Sequence, residues 1–113
     1  MKFEKIGGKY ELLESEAYFL LLLKGFGIPR LISFGKKSHY KIIVEELLGP
    51  SLYLNWNNKN NKTRLNDTCL VALQCLDRLE YIHSKDVIHK DIKPSNFLFG
   101  RKDPNIIYII KKI

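Results

Sequence analysis

Between Ile88 and Leu98 the chain reads Ile-His-Lys-Asp-Ile-Lys-Pro-Ser-Asn-Phe-Leu, and no other stretch restricts its possible folds as much. One acid, Asp91, is followed two residues later by Lys93 and five residues later by Asn96, with apolar residues on both sides. Flanks of that kind predict a short loop between two strands. The three side chains suit phosphoryl transfer from ATP to a hydroxyl. A carboxylate at Asp91 can accept the hydroxyl proton, and the Lys93 ammonium can neutralise charge on the moving phosphoryl group. The Asn96 amide oxygen can hold a magnesium ion. The bland alternative is a plain turn between strands.

The loop resembles the catalytic loop of eukaryotic protein kinases, and other blocks narrow the resemblance. Glu45-Glu46-Leu47-Leu48-Gly49-Pro50-Ser51-Leu52 resembles the hinge and following helix start of the casein kinase 1 family. Gly27-Ile28-Pro29 with Phe34-Gly35, Arg78-Leu79-Glu80-Tyr81-Ile82-His83-Ser84 and Asn96-Phe97-Leu98-Phe99-Gly100 fit the same family in the same order. The similarity runs from about Lys2 to Ile110. Such domains reach roughly 250 residues, so the chain reads as a piece of one. The implied fold is α+β: an N-lobe remnant of one helix and antiparallel strands over residues 1–45, a hinge at 46–50, and from 51 to 113 the start of a helical C-lobe carrying the catalytic loop.

The resemblance implies a serine/threonine kinase using ATP and Mg2+ on protein substrates. Lys2, in Lys-Phe-Glu, matches the lysine that contacts the α- and β-phosphates, with Glu14 on the first helix as its partner. The alternative for Lys2 is an exposed terminal residue without a role. Adenine would meet backbone groups near Glu46 and Leu48, above an apolar floor including Leu98. Glu45 departs from the family, because the residue guarding the back of the adenine pocket is normally apolar. A carboxylate there must be paired or protonated, so either Lys2 reaches it or the pocket is open and wet. Lys90 replaces an arginine and cannot make that residue's two-pronged contact to phosphate. The family is thought not to need activation-loop phosphorylation. His89 reads as a packing residue rather than a proton carrier, His83 as a capping or packing residue and His39 as an exposed turn residue.

After Tyr108-Ile109-Ile110 the family continues with Asp-Phe-Gly, whose aspartate chelates magnesium, whereas here Lys111-Lys112-Ile113 follows. The family's glycine-rich loop lies ahead of its lysine strand, which here opens the chain. Losing a metal ligand and a phosphate cover removes much of the electrostatic stabilisation of phosphoryl transfer. Little or no turnover by this polypeptide alone is expected.

Composition narrows the other classes. Of 113 residues 45% are hydrophobic, enough for a core. The net charge of +7 comes from 19 basic and 12 acidic residues. Lys36-Lys37, Lys59, Lys62 and Arg64 are dispersed in polar segments, which favours a solvated surface over a nucleic-acid patch. A small basic protein for anionic partners is a further class, without a motif to support it. Cys69 and Cys75, six positions apart in a predicted helix, suit neither a zinc knuckle nor a local disulfide, and read as reduced, partly buried thiols. Met1 to Lys5 lacks the apolar core of a signal peptide. The longest apolar run, Ala17 to Leu23, is far shorter than the ~20 residues that span a bilayer. An intracellular protein, cytoplasmic or nuclear, is expected, without membrane or nucleic-acid partners.

Periodicity predicts a helix from about Tyr10 to Lys24 and two strands, Leu31–Phe34 and Tyr40–Val44, joined by a polar turn at Gly35-Lys36-Lys37-Ser38. Ser51 can cap a short helix. The Asn- and Lys-rich stretch from Asn55 to Asn66 reads as a loop. A second helix from about Asp67 to Ser84 carries an apolar stripe of Cys69, Ala72, Leu73, Leu76, Leu79 and Ile82, and a strand covers Ile106–Ile110. In the family, that stripe packs on helices that lie beyond this chain's last residues. Left uncovered, it offers a face for a partner, so a non-catalytic binding module is the third functional class.

Overall fold

The computed structural model describes residues 1–9, 11–58 and 65–111. Three antiparallel strands, β1 (Lys2–Lys5), β2 (Leu31–Lys37) and β3 (Tyr40–Glu45), form a sheet with β3 in the centre. Helix α1 (Leu13–Leu22) lies between β1 and β2 in sequence. After the sheet come α2 (Leu52–Asn58), α3 (Leu65–Ser84) and a two-stranded ribbon of β4 (Phe97–Phe99) and β5 (Ile107–Ile109). The architecture is α+β, as expected.

Register explains how α1 meets the sheet. Lys2 pairs with Ile43 and Glu4 with Lys41, so these side chains share one face. That face meets α1, where Ile43 is fully buried. Phe3 and Tyr40, on the other face, are exposed. Leu13, Ala17, Leu20 and Leu23 recur at helical spacing and pack with Ile28 and Ile43. The same cluster continues into Ile82, Phe97, Ile107 and Ile109, so one core joins sheet, long helix and ribbon. Each such buried side chain contributes about 2 kcal/mol of transfer free energy.

Several boundaries differ from the expected ones. The first helix starts at Leu13, and Tyr10 lies outside the described residues. The reason is a cap from far away: the Glu4 carboxylate accepts hydrogen bonds from the Leu12 and Leu13 N–H groups. These are among the N–H groups a helix start leaves unpaired, and a carboxylate there is favoured. Strand β2 runs through Gly35 to Lys37, and the turn shrinks to Ser38-His39, with Ser38 at φ 56°. Pairing with β3 outweighs the polar composition. Ser51 does cap, accepting from the Leu54 N–H at 3.1 Å. Helix α2 then extends through Asn55 to Asn58, where a loop was expected. The rest of that loop, with Lys59, Lys62 and Arg64, lies outside the described residues. Ahead of the 88–98 segment the chain is irregular rather than a strand, and the last strand is trimmed to Ile107–Ile109.

Along α3 the expected stripe divides. Ile82 is buried and Leu79 half-buried, but Cys69, Ala72, Leu73 and Leu76 face solvent, as does Leu70. Cys69 is therefore an exposed free thiol rather than a partly buried one, while Cys75 is half-buried. No helix among the described residues is long and apolar enough to cross a membrane.

Candidate active site

The end of α3 launches the loop. Val87 N–H returns to the Ile82 carbonyl at 3.1 Å and Asp86 adopts φ 59°, which stops the helix and turns the chain. His89 then enters the core and is 1% exposed. One ring nitrogen, Nε2, lies 2.7 Å from the Ile110 carbonyl, and the other, Nδ1, accepts the Asp91 backbone N–H at 3.2 Å. A carbonyl only accepts and an amide N–H only donates, so the contacts fit a ring that donates from Nε2 and accepts at Nδ1. With Phe19 packed edge-on, the ring is a structural post, as the sequence suggested. Lys90, at φ 74°, makes the left-handed step that brings Asp91 back over the ring.

Asp91, Lys93 and Asn96 are brought together. Lys93 Nζ lies 3.2 Å from Asp91 Oδ2, with both side chains about half exposed. Pro94–Asn96 forms one 3-10 turn, closed by a hydrogen bond from the Asn96 N–H to the Lys93 carbonyl. Asn96 is fully buried, and its Nδ2 donates to the Asp91 carbonyl at 2.8 Å and to the Asp91 carboxylate at 3.3 Å. The hydrogen bond from Lys93, above all, holds the Asp91 carboxyl below its ordinary range, with Asn96 adding to the effect. Asp91 is thus ionised, partly exposed and fixed in direction. Among the described residues, the buried Asn96 Oδ1 atom has no hydrogen-bond partner. A buried amide oxygen left that way costs about 1–3 kcal/mol, so the site carries an unspent acceptor.

Lys2 has a different partner from the expected Glu14. Its Nζ hydrogen-bonds Glu16 and lies 3.1 Å from Glu45. Glu16 faces the sheet and is buried, whereas Glu14 points outward and pairs with Lys41 at 3.1 Å. Burial opposes the charge on Lys2, but hydrogen bonds and attraction from Glu16 and Glu45 outweigh it and raise its pKa. Of the two alternatives for Glu45, the first holds, because Lys2 reaches it. Sequence reasoning missed Glu16. No local spacing marks it, because a cap from Glu4 fixes the helix start and hence which acid faces inward.

The segment from Gly49 to Ser51 is strapped to the ribbon. Gly49 N–H donates to the Phe99 carbonyl at 2.8 Å, Phe99 N–H to the Pro50 carbonyl at 2.9 Å, and Ser51 bridges Leu98. Half-buried Leu48 and Leu98 are thereby tied to the loop end at Asn96. The Glu46 N–H is committed to the Arg30 carbonyl at 2.8 Å, which leaves its carbonyl as the group a base could meet. A groove of about 370 Å³ opens elsewhere, lined by Lys24–Arg30, Glu46 and Tyr108. Of the expected nucleotide residues only Glu46 lines it, so it is separate from the Asp91 cluster. Burial first, and then the Glu46 carboxylate, push the Tyr108 phenol up.

Downstream, Ile110 N–H donates to the Asn96 carbonyl at 2.9 Å while its own carbonyl meets His89. Lys111 therefore leaves the ribbon beside the loop, with its ammonium 5.6 Å from the centre of the Phe19 ring. Lys112 and Ile113 lie outside the described residues. No group of three His, Cys, Asp or Glu side chains placed to hold a metal occurs among the described residues. Compared with known families, residues 2–111 match the one described as protein kinase domain.

Proposed function

The chain belongs to the protein kinase domain family, and from that membership we propose that it is a casein-kinase-1-like serine/threonine kinase domain whose own turnover is suppressed. The observation that carries this reading is the Asp91–Lys93–Asn96 cluster fixed on the His89 post. We assign residues 1–45 to an N-lobe portion, 46–50 to a hinge and 51–113 to the start of the C-lobe. In this reading the Glu46 carbonyl, the Leu48 backbone and the Leu98 side chain receive adenine. Lys2, steadied by Glu16 and Glu45, faces the α- and β-phosphates, and Glu14 stays outside the site.

For transfer, a protein hydroxyl oxygen bonds to the γ-phosphorus as the bond to the β-phosphate oxygen breaks, and ADP leaves. Asp91 orients that hydroxyl and takes its proton late, consistent with a carboxylate of depressed pKa. Lys93 balances charge on the moving phosphoryl group. Family members generally use ATP with Mg2+, which neutralises phosphate charge when bound. The donor set here does not fit that ion. Asn96 Oδ1 is a suitable oxygen, but among the described residues the carboxylate bonded to the Asn96 amide nitrogen in the loop, Asp91, is already bound by Lys93, and the chain continues from Ile110 into Lys111 rather than an acid. A divalent cation prefers several carboxylate or water oxygens. This charge pattern supports suppressed turnover.

A phosphotransfer assay on serine-containing acidic peptides tests the proposal. The expected wild-type rate equals the Asp91→Asn background while ATP still binds. Turnover abolished by Asp91→Asn would show an active kinase and refute suppression, and absence of ATP binding would refute the nucleotide site. A second reading, a non-catalytic protein-binding module, is favoured by one observation: Leu70, Leu73 and Leu76 on α3 are each about 60% exposed.

A further inference from the structure

The misfit between this loop and a divalent ion has a consequence for how nucleotide is held. Among the described residues, Lys93 and Asn96 already engage the Asp91 carboxylate of the loop, and the backbone of Lys111 leaves the ribbon next to it, with its ammonium over the Phe19 ring. An added Mg2+ at the loop would meet the like charge of the Lys93 ammonium. A triphosphate would meet the opposite sign. The tether of Lys111 begins one residue after Ile110, whose N–H is bonded to the carbonyl of Asn96, the residue with the partnerless Oδ1. An ammonium carries three N–H donors and can serve either that oxygen or phosphate.

We infer that this chain binds the triphosphate without a divalent ion, Lys111 supplying the positive charge that an ion would otherwise bring. The inference rests on the nucleotide reading of the site. It extends that reading by naming the form of the ligand, metal-free ATP.

Calorimetric titration of the intact chain with ATP, once in EDTA and once in excess MgCl2, tests it. Wild-type affinity in EDTA is expected to equal or exceed that in magnesium. Lys111→Asp should weaken binding in EDTA about tenfold or more and recover on adding magnesium. Lys111→Met should weaken it in EDTA without that recovery, and circular dichroism establishes that both variants remain folded. Wild-type binding tenfold tighter in magnesium, or a Lys111→Asp variant indistinguishable from wild type, overturns the inference alone. No binding in either buffer overturns the nucleotide site and the inference together.

Discussion

Asn96 donates its side-chain N–H to the main-chain carbonyl of Asp91 across 2.8 Å, locking the turn that presents the Asp91 carboxylate. The amide is fully buried, so its loss leaves a carbonyl short of a partner. Asn96→Ala is expected to cost ~2 kcal/mol in urea unfolding, more than an exposed substitution such as Lys93→Ala.

Lys93 sets the titration of Asp91. Replacing it with Met should raise the Asp91 carboxyl toward the ordinary carboxylate range, followed by carbon-13 NMR of that side chain. The sign follows from the depressed folded-state pKa. The stabilisation is present above the unfolded value and lost as pH falls through the folded one. Lys93→Met should therefore lose less stability on acidification than the wild type.

Glu16 and Glu14 separate by function. Glu16→Gln leaves Lys2 with Glu45 as its charged partner and is expected to weaken ATP binding roughly tenfold, as loss of a charged hydrogen bond does. Glu14→Gln removes an outward pair with Lys41, worth roughly 0–1 kcal/mol, and should leave ATP affinity unchanged. Calorimetry on both variants distinguishes them.

The loop, the order of elements and the α+β plan were legible in sequence because each rests on local spacing. His89 reads as a packing residue from its place just ahead of the loop, and the structure buries it. The Lys2 partner was not legible, since it depends on Glu4 capping a helix eight residues away in sequence. Residues 55–58 misled for a different reason. Asparagine is a weak helix former, but the Ser51 cap and packing on the ribbon override propensity. Arg78 carried no sequence signal beyond its motif, yet it is buried, with Nε donating to the Ile107 carbonyl at 2.9 Å.

Gly27 exposes the role of Arg78. It adopts φ 77°, and a Cβ there would sit 1.8 Å from Arg78 Nε. The strained backbone and the displaced guanidinium together should make Gly27→Ala costly, ~3 kcal/mol or more. Thermal unfolding beside Gly35→Ala, which meets open space, checks this.

On α3, Leu73→Lys with Leu76→Lys removes exposed apolar surface without touching the buried Ile82. If that face is a docking surface, sedimentation velocity should show that the variant no longer joins any assembly the wild type forms, while stability changes by no more than about 0.5 kcal/mol.

The most direct measurement is an ATP titration of the nitrogen-15-labelled chain followed by two-dimensional NMR. Amides of Lys2, of Glu46 to Leu48 and of Asp91 to Asn96, Pro94 excepted, are expected to shift together with one dissociation constant. Shifts confined to the Lys24–Arg30 groove, or none at all, would contradict a nucleotide site built on Asp91, Lys93 and Asn96.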